Sequence, residues 1–297
     1  MFTSLLALIV ALALGHISPG ATAALRRFTW FGRAIGWHQS HSGETGFWHS
    51  RYGAVLALLP PLLILGLLQW CLKGTVLGLP SLLLGVAVLA WTWGPRDLDR
   101  DVEAVIDADD RDSRREAISH LQSGGGSLRE DVHSLVSAVV INALRRWFGV
   151  LFWFLLLGPF GALLYRLTTL LVEGKLAGEL PTENLAGARR LLAAMEWPVA
   201  QLMTLSMALV GNFDAVLRSW RENHGLRWSL EPVFLAAVAR AAVNAELRDE
   251  AGDYIDAGLI PVWQRLPELR DAMSLIWRVL LLWMVLMALA VIAGWII

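Results

Sequence analysis

Cysteine is almost absent. Cys71 is the only one in 297 residues, so no disulfide framework can staple the chain and no C-x-x-C pair exists to hold zinc. Charge is scarce too. Asp, Glu, Lys and Arg make up 17% of the residues, against about 25% in an ordinary soluble domain. The signs nearly cancel, with 25 bases to 26 acids, which removes the basic surplus expected of a nucleic-acid binder. Catalytic fingerprints are missing as well. There is no G-x-x-x-x-G-K-[ST] phosphate cradle, no H-E-x-x-H zinc pair and no G-x-S-x-G nucleophile elbow. No cofactor and no metal are implied by any motif.

What the chain has in quantity is apolar sequence. Hydrophobic residues make up 56% and the mean hydropathy is +0.53. Fifteen tryptophans are present, and many (Trp70, Trp91, Trp93, Trp147, Trp153, Trp277, Trp295) flank apolar blocks, as in the aromatic belts of membrane proteins. The expected fold is all-α: a polytopic membrane helical bundle with amphipathic or re-entrant helices and a charged helical loop, its main partner the lipid bilayer.

Five spans are expected. The first is Phe2 to Leu14, retained rather than cleaved, because no Lys or Arg precedes it as a signal peptide would require. Residues 24–52 follow as a basic, Trp-interleaved interfacial segment, with Arg26, Arg27, Arg33 and Arg51 against Glu44. Tyr52 to Leu72 and Val76 to Trp93 read as a helical hairpin, with Pro60-Pro61 kinking its first arm. The central span is Asn142 to Arg166, interrupted by Gly158, Pro159 and Gly161, and the last is Ile276 to Ile297. Val199 to Val210 is apolar but too short to cross, so a re-entrant or interfacial helix is expected there. Phe234 to Leu247 reads as an alanine-rich helix.

The stretch from Arg96 to Asp131 is highly charged. Val102, Val105 and Ile106, then Ile118 and Leu121, recur at helical spacing and predict two amphipathic helices. Ser123-Gly124-Gly125-Gly126-Ser127 is a linker, and residues 128–141 lead by a helix into the central span. Arginines flanking the loop place it on the cytoplasmic side by the positive-inside rule, as a possible docking surface for a protein partner. Three regions result: 1–94 with the N-terminal membrane helices, 95–141 as the charged helical loop, and 142–297 as the core. Small residues such as Gly158 and Gly161 allow helix association, within one chain or between copies.

Candidate chemistry is sparse. His38, His41 and Glu44 could hold zinc or simply line a polar loop. Asp107, Asp109, Asp110 and Asp112 could bind a hard cation, or form a solvated helix end beside Arg111, Arg114 and Arg115. Arg145, Arg146 and Arg166 bracket the central span. They read either as interfacial anchors or as a clamp for an anionic ligand, with Glu196 as a possible partner.

The central span resembles the membrane family that groups AmpE with the CobD/CbiB corrinoid-biosynthesis proteins. Asn142, Arg145, Leu151-Phe152-Trp153, the break from Gly158 to Gly161 and Tyr165-Arg166 carry the resemblance. Residues 191–220, with the acid–Trp pair Glu196-Trp197 and a closing Ser219-Trp220, are similar to the AmpE branch in particular. That branch implies an inner-membrane regulatory or sensory protein linked to β-lactamase induction and cell-wall recycling. Asn142, Arg145, Trp153, Tyr165, Arg166 and Glu196 would then face an anionic, cell-wall-derived or other small molecule. The corrinoid branch would make the chain a relative of an amide synthase. Ser137, Ile141 and Arg145 stand where that branch carries carboxylates, and their loss argues against amide synthesis. A ligand-free membrane scaffold is the remaining reading.

Overall fold

A computed structural model of the chain describes residues 28–41, 46–72, 79–92, 97–122, 128–256 and 265–293. Helix is the regular structure of these residues, and no strand occurs among them. Four helices there are long and apolar enough to cross a membrane: Gly53–Cys71, Val132–Leu157, Thr182–Val210 and Pro267–Leu289. The expected first span, Phe2 to Leu14, and the glycine linker lie outside the described residues. The chain forms two compact units that interleave along the sequence. One comprises Met1–Pro95, Arg145–Met195 and Leu286–Ile297, and the other Arg96–Leu144 and Glu196–Val285.

In the first unit, α1 (Thr29–His41) leads through a 3-10 turn (Phe47–His49) into α2 (Gly53–Cys71), followed by α3 (Leu79–Thr92). Helix α2 is apolar on every face. Ala54, Ala57, Leu58, Leu62 and Leu65 are buried at spacings of three and four, whereas Leu59, Leu63, Ile64, Leu67 and Trp70 are exposed. Water would penalise that outer face, and hydrocarbon would not. The helix continues through Pro60 and Pro61. Of the expected span from Val76 to Trp93, the described residues form helix α3 over Leu79–Thr92. Its 14 residues rise about 21 Å, less than a hydrocarbon core of about 30 Å.

The expected single span from Asn142 to Arg166 is not one helix. α6 (Val132–Ala143) runs through a π-helical turn (Leu144–Phe148) into α7 (Gly149–Leu157), and there the helix stops. Gly158 takes φ 69° and ψ −154°, a backbone region that essentially only glycine occupies. Pro159 then opens α8 (Pro159–Val172) at a first-turn position where its missing N–H costs nothing. The chain reverses instead of kinking. A Cβ on Gly161 would fall 2.2 Å from the Trp153 carbonyl oxygen, and one on Gly149 would fall 2.1 Å from Tyr165 Cζ. Residues 149 and 165, and 153 and 161, therefore face each other in an antiparallel helical hairpin with almost no gap between its arms. Helix α8 also packs on α2 and α3, and its Leu163, Leu167 and Leu171 share one core with Phe31, Ile35, Trp48 and Leu62.

After a short α9 (Gly174–Glu179) comes α10 (Thr182–Val210). The run from Val199 to Val210, too short to span on its own, is thus the end of a 29-residue helix. Helical burial continues upstream through Ala188, Leu192, Ala193 and Met195, so the flanking charges do not end the helix. The loop at Phe47–Gly53 sits directly on the start of α10. Asn184 donates from Nδ2 to the Trp48 carbonyl at 3.1 Å, and a Cβ on Gly187 would collide with the Arg51 carbonyl oxygen.

In the second unit, α4 (Leu98–Asp107) and α5 (Arg111–Leu121) are the two amphipathic helices expected of the charged loop. Their apolar faces, Leu98, Val102, Val105, Ile106, Ile118 and Leu121, are buried. Asp97, Asp110 and Asp131 cap α4, α5 and α6 by accepting from backbone N–H groups of the first turn. Asn212 caps α11 (Phe213–Glu222) in the same way. α12 (Val233–Asp256) packs on α6 and α11. In α13 (Pro267–Ile292), Trp283 donates from its indole to Ser206 Oγ of α10 at 2.8 Å.

Candidate functional site

The first unit holds four of the six expected ligand residues, and they gather at the α7–α8 hairpin. Arg145 lies in the π turn. Such an i→i+5 turn widens a helix locally and is frequent at functional positions. Its Nη1 is 3.1 Å from Glu173 Oε1, and both side chains are largely sheltered, 12% and 23% exposed. Glu173 caps the C-terminus of α8, so the pair ties the two ends of the reversed segment at the open end of the hairpin. Tyr165 is fully buried against Gly149, and Arg166 beside it is 4% exposed. Trp153 donates its indole N–H to the Met195 carbonyl at 3.2 Å.

Glu173 was not among the expected residues. Its signal was available: it is the only carboxylate between Asp131 and Glu179, a stretch carrying Arg145, Arg146, Arg166 and Lys175. An acid confined to one position among bases marks an ion pair more plainly than any motif does.

The other two expected residues belong to the second unit. Asn142 Nδ2 donates to the Leu121 and Ala138 carbonyls, both at 2.8 Å. That satisfies an end-of-helix carbonyl of α5 and ties it to α6. Glu196 is buried, 1% exposed, within α10. One turn on, Gln201 accepts from the Trp220 indole at 3.0 Å and donates to the Gly225 carbonyl, clamping α11 and the turn after it. Ser137 accepts from Arg240 Nη1 at 2.8 Å. A further pair unseen in the sequence joins α13 to α12, where Arg278 donates from Nη2 to both oxygens of Glu246 at 2.6 and 2.7 Å.

Two of the four acids in the run of the charged loop are engaged by structure. Asp110 caps α5, and bonds from the Ser113 hydroxyl and N–H hold its carboxyl below the ordinary value of 3.8. Asp109 pairs with Arg265 at 2.8 Å, and this bond raises the guanidinium's already high pKa. His38 and His41 bond the Ala34 and Trp37 carbonyls of their own helix, while Glu44 lies outside the described residues. Among the described residues no three His, Cys, Asp or Glu side chains are placed to hold a metal ion. Comparison of the chain with family models, with curated proteins and with solved structures finds no match in any of the three.

Proposed function

We propose that the chain is a multi-pass inner-membrane protein of the AmpE type, acting as an accessory or sensor in β-lactamase induction and cell-wall recycling. Two things support the reading: the residue pattern from Asn142 to Arg166 with that from 191 to 220, and four helices of spanning length among the described residues. The observation that carries the mechanism is the sheltered Arg145–Glu173 pair at the open end of a tightly packed hairpin. An anionic small molecule would act by competing with Glu173 for the Arg145 guanidinium. Arginine binds carboxylate and phosphate alike through two parallel N–H bonds. Exchange of a tethered carboxylate for a free one would loosen the hairpin's open end and report ligand as a shape change.

The test is β-lactamase induction by a β-lactam in a host lacking this protein, with and without the wild-type copy returned. The reading expects a shift in induction that the copy restores and that an Arg145→Ala copy does not, at equal amounts of folded protein. An unchanged induction in a host with a working inducible enzyme overturns it. The corrinoid alternative expects rescue of a corrinoid auxotroph, and no carboxylate at Ser137 or Ile141 is available to support it.

A further inference from the structure

A cavity of about 330 Å³ lies within the first unit, between α1, α2, Trp91 of α3 and Leu163 of α8. Its lining is apolar apart from one imidazole, His38. Ala57, Pro60, Pro61, Ile64 and Leu68 of α2 form one wall. From Ala57 to Leu68 the helix rises about 16 Å. The cavity is thus an elongated slot along a membrane-length helix, and α2 presents exposed Leu63, Ile64 and Leu67 beside it. At roughly 30 Å³ for a group the size of a water, it has room for about ten methylenes in a row. A slot of this size and polarity suits a chain-like apolar ligand and offers a polar or charged small molecule almost nothing.

One end of the slot is polar, and its polarity has a sign. His38 donates from Nδ1 to the Ala34 carbonyl at 2.9 Å, which leaves Nε2 as its remaining hydrogen-bonding atom. Its ring stacks on Trp48, with centroids 5.1 Å apart, just before α2 begins. Arg51 and His49 directly precede α2 in sequence, and the start of α10, which meets this loop through Asn184 and Gly187, adds Glu183 against Arg189 and Arg190. A basic, Trp-bearing mouth on an apolar slot matches an amphiphile with an anionic head at the membrane interface.

We propose that this slot binds one hydrocarbon chain of an anionic membrane lipid, with the headgroup at the His38 end. The inference is independent of the regulatory reading. A chain held there fills the gap between α1 and α2, and so couples the interfacial helix to the span beneath it.

The experiment uses the full chain in lipid nanodiscs containing phosphatidylglycerol with a diazirine on its acyl chain. Photolysis followed by peptide mapping locates the adducts. Adducts on Trp30, Leu65 and Trp91 severalfold above those on the lipid-facing Leu281 and Val285 of α13 are expected. Ala34→Phe, at a half-buried lining position, should remove the slot adducts and leave those on α13. A second filling variant, Ala57→Leu, guards against a local folding defect, and each variant's melting curve is recorded beside its map. The same chain carried by phosphatidylcholine should label the slot severalfold less. Equal labelling of the slot and of α13, or slot adducts that survive filling in both variants, means a bulk lipid contact and overturns the proposal. Equal labelling from the two headgroups overturns its anionic half.

Discussion

Arg145 Nη1 meets Glu173 Oε1 at 3.1 Å across a segment whose two arms run in opposite directions. The pair is shielded from water far better than Arg278–Glu246, whose side chains are 36% and 39% exposed. Screening by solvent scales with that difference. Arg145→Ala is expected to cost about 1–3 kcal/mol, because a carboxylate is left half-buried without its partner. Glu246→Gln should cost no more than about 1 kcal/mol. Melting of both variants in detergent checks the order, and a larger loss at Glu246 would overturn it.

The hairpin depends on Gly158. An alanine there must adopt a conformation that L side chains avoid, so Gly158→Ala is expected to destabilise the protein by about 1–3 kcal/mol. Replacing a neighbour such as Leu157, which is 42% exposed, by Ala should cost little. Equal losses at the two positions would mean that the reversal does not rest on the backbone of Gly158.

Gly149 and Tyr165 form a size-matched pair. Gly149→Ala should cost about 1–3 kcal/mol by overpacking, since its methyl would sit 2.1 Å from the Tyr165 ring. The double variant with Tyr165→Ala should recover part of that loss, giving a non-zero coupling energy where two independent defects would simply add. Strict additivity in the cycle would show that the two arms do not touch at this level.

The caps of α5 and α6 make a pH-dependent contribution whose sign follows from their geometry. Ser113 and Ser134 hold the Asp110 and Asp131 carboxyls below the ordinary value of 3.8. Their stabilisation is therefore complete above that value and lost as pH falls through the lowered folded-state pKa values. Helix content should drop at the acid end of a titration, and Asp110→Asn should flatten part of that drop while leaving the neutral-pH signal nearly unchanged. A variant that titrates as wild type does would place the acid transition elsewhere.

Much of this architecture is decided locally and could be read from the chain. The amphipathic helices of the charged loop follow from Val102, Val105, Ile106, Ile118 and Leu121. The all-helical class follows from continuous apolar runs of about 20 residues, the length at which a helix crosses hydrocarbon. What the linear order could not give was the direction of the chain after Leu157. A Gly-Pro step permits a kink or a reversal, and the choice falls to whatever faces Gly149 and Gly161. Those are Tyr165 and the Trp153 carbonyl, contacts that exist only once the segment has folded back. The same holds for the charges. Arg145 read as either an interfacial anchor or an anion clamp with Glu196 as partner, because Glu173 stands 28 residues away. Val199–Val210 read as too short because hydropathy averages away the helical face that Ala188, Leu192 and Met195 bury upstream. Periodicity and the length of the apolar runs determined which residues are helical. Only the tertiary structure decided which helices turn back and which charges meet, because pairing across distant positions depends on packing that no local pattern records.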